Sequence, residues 1–134
     1  MLILASVTRR IMYLSHAYYG SAHDYAILKT EFSPDEGVWF EGTDLYLDLG
    51  FLGIKKDYTE SAKIPHKKTK GKQLTEEQKK ENREISSIRI KVEHSIGGMK
   101  RYNILSERSR IKSIIRYNQV CGICAGLWNY CITC

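Results

Sequence analysis

The sequence predicts an α/β fold, a mixed sheet with flanking helices, on three observations. Two short β-rich runs open the chain, a run of leucines alternating with polar residues follows at 44–49, and two later stretches carry apolar residues at helical spacing. With 134 residues, 43% apolar and 27% charged, the chain has the size and composition of one globular domain or part of one.

Residues 2–7 and 10–15 read as strands joined at Thr8-Arg9-Arg10, an antiparallel hairpin. After a loop to Gly20, Ser21 or His23 begins a helix, HDYAILKTEF, with Ala26, Ile27 and Phe32 facing inward and Asp24 as a first-turn acid that suits the helix dipole. Ser33-Pro34-Asp35-Glu36-Gly37 stops it. Residues 44–49, DLYLDL, predict a strand with Leu45, Leu47 and Leu49 on one face and Asp48 at its C-terminal end. The stretch 55–72, dense in lysine and holding Pro65 and Gly71, predicts a basic loop or mobile arm. Thr75-Glu76-Glu77-Gln78 is a capping box that opens a helix over 75–97, which Gly97-Gly98 ends or bends. A basic connector covers 101–112. The final helix, 113–131, carries Ile114, Ile115, Val120, Ile123, Leu127 and Trp128.

Wound as a helix, residues 85–102 place Ser86, Arg89, Glu93 and Lys100 on one stripe, beside an apolar one made by Ile85, Ile88, Val92, Ile96 and Met99. Glu93 falls at the border of core and solvent. A carboxylate on a rigid helix between two cations suits metal ligation beside phosphate; the same spacing also suits a plain Arg89–Glu93 ion pair on an amphipathic helix. Asp48 at a strand end and Glu93 on a following helix have the form that two-metal phosphoryl transfer requires, carboxylates converging from separate rigid elements, although Asp48 also reads as an ordinary strand-end residue. His23 and His94 each stand alone.

The net charge of +6, with basic residues concentrated between Lys55 and Arg116, favours a polyanionic partner such as nucleic acid. No run approaches a membrane span, and the start is not a signal peptide, so the expected compartment is the cytoplasm. The four cysteines form Cys121-x-x-Cys124 and Cys131-x-x-Cys134. Paired motifs of this kind suggest zinc, but on one continuous helix their sulfurs spread along roughly 20 Å, too far for one tetrahedral site. Buried thiols on a core helix are the expectation.

Asp48-Leu49-Gly50-Phe51 followed by Arg89-x3-Glu93-x6-Lys100 resembles the second acid and the Tyr-x2-Arg-x3-Glu-x6-Lys signature of DDE superfamily transposases of bacterial insertion sequences, a group related to eukaryotic Harbinger transposases. Gly20-Ser21-x-His23-Asp24 with Ile27-Leu28, Pro65-His66-Lys67-Lys68, and Leu74-Thr75-Glu76-Glu77 with Asn82 are similar to further segments of the family. So are Val92-Glu93-His94-x-Ile96-Gly97 and Ala125-Gly126-Leu127-x-Asn129, and the likeness runs along nearly the whole chain. The resemblance implies an RNase H-like fold in which three acids bind two Mg²⁺ or Mn²⁺ ions and cut transposon ends, the freed 3′-hydroxyl then attacking target DNA. It makes Asp48 and Glu93 metal ligands and catalytic residues. Arg89, Lys100 and Arg101 would contact phosphate or orient Glu93, and Lys67, Lys68, Lys70 and Lys72 would bind DNA from the arm.

Two departures stand out. Ser86 occupies the tyrosine position, and no acidic residue precedes Asp24, whereas the family's first acid lies on its first strand. The expectation is an amino-terminally truncated chain, the carboxy-terminal part of the catalytic domain, inactive alone and arising as a degraded copy or a frameshift product. Its partners would be DNA, further copies of itself or a full-length transposase, in nucleoid-associated cytoplasm. The alternative is a nonenzymatic DNA-binding remnant that modulates a full-length transposase.

Overall fold

The opening hairpin forms where the two β-rich runs predict it. In the computed structural model, which describes residues 1–18, 20–58, 62–107 and 110–134, β1 (Ile3–Ala5) and β2 (Ile11–Leu14) pair antiparallel. Ile3 faces Leu14 and Leu4 faces Tyr13, with an irregularity between Leu4 and Ala5. The remaining elements are α1 (Asp24–Glu31), a 3-10 turn (Leu49–Phe51), α2 (Ile54–Asp57), α3 (Glu76–Met99), α4 (Asn103–Ser106) and α5 (Ile114–Thr133). They divide into two compact units. The first joins Met1–Ser21 to Ile90–Cys134, and the second is Ala22–Arg89. None of the described helices is long and apolar enough to cross a membrane.

In the first unit the hairpin lies against the helices through a core of Ile11, Met99, Cys124 and Ala125, with Ile3, Leu14, Val120 and Trp128 packed around it. Three α5 side chains complete the hydrogen bonding of the hairpin and its exit. Asn129 accepts from Ile11 N–H at 2.8 Å and donates to Ile11 C=O at 2.9 Å, standing in for a neighbouring strand. Asn118 accepts from Ala17 N–H at 2.9 Å, and Trp128 Nε1 donates to the Arg9 carbonyl at 2.9 Å.

This docking decides which α5 side chains are buried, and two of the four thiols are among them. Cys121, Cys124 and Ala125 are buried, while Ile114, Ile115, Ile123 and Leu127 are exposed. Small side chains let the helix approach the hairpin closely enough for the asparagines to reach backbone, so the large aliphatics turn outward. Of the four thiols expected to be buried, Cys131 and Cys134 are exposed, and all four are free.

α3 runs through Gly97 and Gly98 and ends one residue later, at Met99. At Gly98 the Trp128 indole lies so close that a Cβ would sit 2.2 Å from its Cε3 and 2.4 Å from its Cζ3, so the glycine is required by contact rather than by backbone conformation. Gly98→Ala is therefore expected to destabilise the chain in urea denaturation, overpacking costing about 1–3 kcal/mol. The about 1 kcal/mol that alanine gains in helix propensity offsets only part of that. A Gly98→Ala variant more stable than wild type would contradict the contact.

In the second unit α1 buries Ile27 and Leu28, while Ala26, expected inside, is exposed. Phe32 stacks edge-on with Trp39 at 5.3 Å and tilts against Phe40 at 5.1 Å, and Tyr58 donates its hydroxyl to the Phe32 carbonyl at 2.6 Å. Burial, with the neighbouring Asp57 charge, raises the Tyr58 hydroxyl above its ordinary pKa. Ile54 of α2 is fully buried, and Gly53 before it turns the chain at φ 98°.

The predicted strand at 44–49 is reduced to one parallel bridge, Tyr46 to Lys63, with Leu47 N–H donating to Lys63 C=O at 3.0 Å. Residues 45–48 are all half-buried, so the alternation that suggested a two-faced strand does not separate inside from outside. Among the described residues the expected mixed sheet is thus a two-stranded antiparallel hairpin and this bridge. Residues 59–61 of the predicted arm, and 108–109 of the predicted connector, lie outside the described residues. Of the arm's described residues, 55–57 belong to α2 and Lys63 bridges to Tyr46, and a basic loop remains over 64–74. The capping box forms reciprocally: Gln78 N–H donates to Thr75 Oγ1 at 3.2 Å and Thr75 N–H to Gln78 Oε1 at 3.1 Å.

Candidate functional site

Asp48 is held by its own turn. It caps the 3-10 turn Leu49–Phe51, its Oδ1 accepting the Gly50 N–H at 2.9 Å, and Phe51 anchors that turn as a buried side chain against the edge of Tyr25. A Cβ at Gly50 would meet Asp48 Oδ1 at 3.0 Å, which explains the Asp-x-Gly spacing: the glycine leaves the carboxylate room to approach the amide. The other oxygen, Oδ2, lies 3.6 Å from Arg89 Nη2 on α3. Asp48 therefore sits at a turn cap and not at a strand end, with one oxygen committed to backbone and the other facing a guanidinium.

Of the residues singled out in the sequence, the structure brings together Asp48 and Arg89, both in the second unit. Glu93 follows Arg89 by one helical turn on α3 and is exposed; it belongs to the first unit, as do the exposed Lys100 and Arg101. Arg101 lies 5.9 Å from the Tyr102 ring. Lys67, Lys68, Lys70 and Lys72 are all exposed on one loop that turns at Gly71, φ 84°, with Lys72 N–H donating to Thr69 C=O. One end of that loop is clamped to α3, where Asn82 accepts from His66 N–H at 2.7 Å and donates to His66 C=O at 3.2 Å while the His66 ring pairs with Glu81. Sequence reasoning placed Asn82 only as a helix-start residue, and nothing in local patterning marks it as the clamp.

Beside the Asp48 turn opens a shallow cleft of about 460 Å³ lined by His23, Tyr25, Lys29, Leu49, Gly50 and Leu52. Its wall is a cluster that periodicity did not flag. The Tyr25 hydroxyl donates to Asp57 Oδ2, and Lys29 Nζ reaches the same oxygen at 3.0 Å while lying 4.6 Å over the Tyr25 ring. Burial and then the Asp57 hydrogen bond raise the Tyr25 hydroxyl well above its ordinary pKa, and the Tyr25 and Lys29 hydrogen bonds hold the Asp57 carboxyl below the usual carboxylate range. The cluster thus keeps a neutral phenol and a carboxylate at neutral pH, with Lys29 bonded to the carboxylate, tying α1 to α2.

Asp48 and Glu93 are hard oxygen donors of the kind Mg²⁺ or Mn²⁺ takes. Their number falls short: among the described residues no three His, Cys, Asp or Glu side chains gather where an ion could be held, the cysteine pairs included.

A family model described as "DDE superfamily endonuclease" matches residues 1–129. The chain is also similar to a probable transposase for insertion sequence element IS702 from Microchaete diplosiphon, with 38% identity over 130 residues. That match covers 96% of this chain and 44% of the relative, so the chain spans less than half the length of the curated relative. No solved structure matches.

Proposed function

The chain belongs to the DDE superfamily endonucleases, and from that premise we propose that it is transposase catalytic-domain sequence that engages transposon and target DNA. In this reading it is part of an RNase H-like domain and contributes Asp48 and Glu93 to an Mg²⁺ or Mn²⁺ site, the remaining ligand coming from outside the residues described here. The ions, when bound, would activate the attacking oxygen and neutralise charge on the leaving one. The chain's own residues hold and orient. Gly50 N–H fixes one oxygen of Asp48, and Arg89 keeps the other aligned while its guanidinium offers donors to phosphate. Lys67, Lys68, Lys70, Lys72, Lys100 and Arg101 supply further phosphate contacts.

The observation that carries this reading is the Asp48–Arg89 pairing at 3.6 Å, which joins two parts of the family signature 41 positions apart in sequence within one folded unit. A second reading, a DNA-binding protein without nuclease activity of its own that assembles with a full-length transposase, is favoured by the shortage of metal donors. Both readings require DNA binding. The purified chain should bind duplex DNA of unrelated sequences about equally, with log K falling linearly in log salt, as a phosphate-dominated interaction does. Fluorescence anisotropy across a salt series checks this, and affinity independent of salt would remove both readings.

A further inference from the structure

The turn of the opening hairpin is more strongly constrained than its length requires. Ser6 N–H donates to Arg10 C=O at 2.9 Å, Arg9 N–H to Ser6 C=O at 2.9 Å, and the Ser6 and Thr8 hydroxyls lie 2.7 Å apart. Arg9 adopts φ 68°, a left-handed conformation that glycine or asparagine takes at far lower cost. Its carbonyl is then held from two helices. Trp128 Nε1 of α5 donates to it at 2.9 Å, and the fully buried Ser95 Oγ of α3 lies 2.8 Å from it and 3.0 Å from Lys91 C=O, sharing its proton. The backbone of Arg9 is fixed, yet the side chains of Arg9 and Arg10 are exposed, and among the described residues neither guanidinium takes part in an ion pair. A non-glycine residue kept in such a conformation by its surroundings motivates a search for function there.

Charge points the same way. The first unit contains nine Lys or Arg against two acids, a formal +7, and the second contains twelve against thirteen, a formal −1. The lysine-rich loop is therefore offset by acids of its own unit, Glu76, Glu77 and Glu81 on the adjoining helix among them, whereas the hairpin turn belongs to the unit that carries the excess positive charge. An anionic ligand is drawn to that unit.

We propose that the Thr8-Arg9-Arg10 turn is a preorganised binding site for the phosphodiester backbone of duplex DNA, with Arg9 and Arg10 as the contacting side chains. The proposal rests on DNA being the chain's ligand. Arginine suits the role because its planar fork takes phosphate oxygens bidentately, and a turn whose backbone is already fixed loses little freedom on binding. The contact is to backbone and carries no base preference.

The test compares salt slopes of duplex binding for the full chain, the Arg9→Asn/Arg10→Gln variant and a variant with glutamine at Lys67, Lys68, Lys70 and Lys72. Asparagine tolerates the left-handed conformation, so the hairpin variant should keep the wild-type circular dichroism and thermal midpoint. Its slope should fall by about 2, close to 0.9 for each phosphate that is no longer neutralised. In parallel, phenylglyoxal modification of the wild-type chain, mapped by mass spectrometry, should be blocked by DNA at Arg9 and Arg10 and not at Arg83; this readout needs no variant to fold. An unchanged slope in a folded hairpin variant, or undiminished modification of both arginines in the complex, overturns the site while leaving DNA binding in place. A wild-type chain that binds no DNA overturns the site and the functional reading together.

Discussion

Trp128→Ala is expected to lower the unfolding free energy of the chain by about 3 kcal/mol, the lower end of the range for removing a core tryptophan because this one is half-buried. The indole does three things in the first unit: it covers Gly98, it joins the cluster around Ile11, Met99 and Cys124, and it donates to the Arg9 carbonyl. Trp128→Phe separates them. A phenyl ring keeps much of the packing and loses the donor, and because Ser95 Oγ still lies 2.8 Å from the same carbonyl, the expected cost is about 1 kcal/mol or less. Urea denaturation followed by helical circular dichroism gives both numbers. The remaining tryptophan, Trp39, belongs to the second unit, so its fluorescence reports there whether that unit unfolds with the first. If Trp128→Ala costs no more than Trp128→Phe, the packing role is wrong and only the hydrogen bond counts.

What was legible in the sequence was local. The hairpin, the capping box at Thr75, the helix stripe of Ile85, Val92 and Met99, and the Ser113 start of α5 all depend on neighbours within a few positions, and each forms close to where patterning placed it. The misreadings concern elements whose state is decided at long range. Residues 44–49 alternate like a strand but find one bridging partner, and of the thiols expected inside α5's buried face only Cys121 and Cys124 lie there. At Gly98, beside the end of α3, nothing local says that an indole 30 positions later occupies the space of its side chain. The site was half legible. Asp48 was singled out, but as a strand end; the Asp-x-Gly cap that positions it was in plain view as Asp48-Leu49-Gly50 and went unread. The run of basic residues from Lys55 to Arg116 straddles the two units, which hid the fact that the net charge belongs to the first.

The 134-residue chain, purified alone, is expected to bind duplex DNA and to leave it un-nicked in Mg²⁺ or Mn²⁺. Two-metal phosphoryl transfer needs enough anionic oxygens to hold two divalent ions about 3.5–4 Å apart against their repulsion. Here Asp48 commits Oδ1 to the Gly50 amide and turns Oδ2 toward Arg89, and among the described residues no group of three acids, histidines or cysteines gathers where an ion could be held. Two carboxylates retain ions weakly and fix no pair. The assay is conversion of supercoiled plasmid carrying the transposon ends to open circle, across a metal series, with three proteins: wild type, Asp48→Asn and Glu93→Gln. Asparagine at 48 keeps an oxygen for the Gly50 amide and removes only the charge, so its fold should be retained; the partly solvated pairing with Arg89, at 3.6 Å, is worth about 1 kcal/mol or less. Glu93 is an exposed helix residue whose change to glutamine should be as mild. Both variants should bind DNA like wild type, and all three should leave the plasmid closed. Metal-dependent nicking by wild type that either substitution abolishes would mean that this chain holds a working nuclease site by itself, and the reading of Asp48 and Glu93 as an incomplete set of ligands would be wrong.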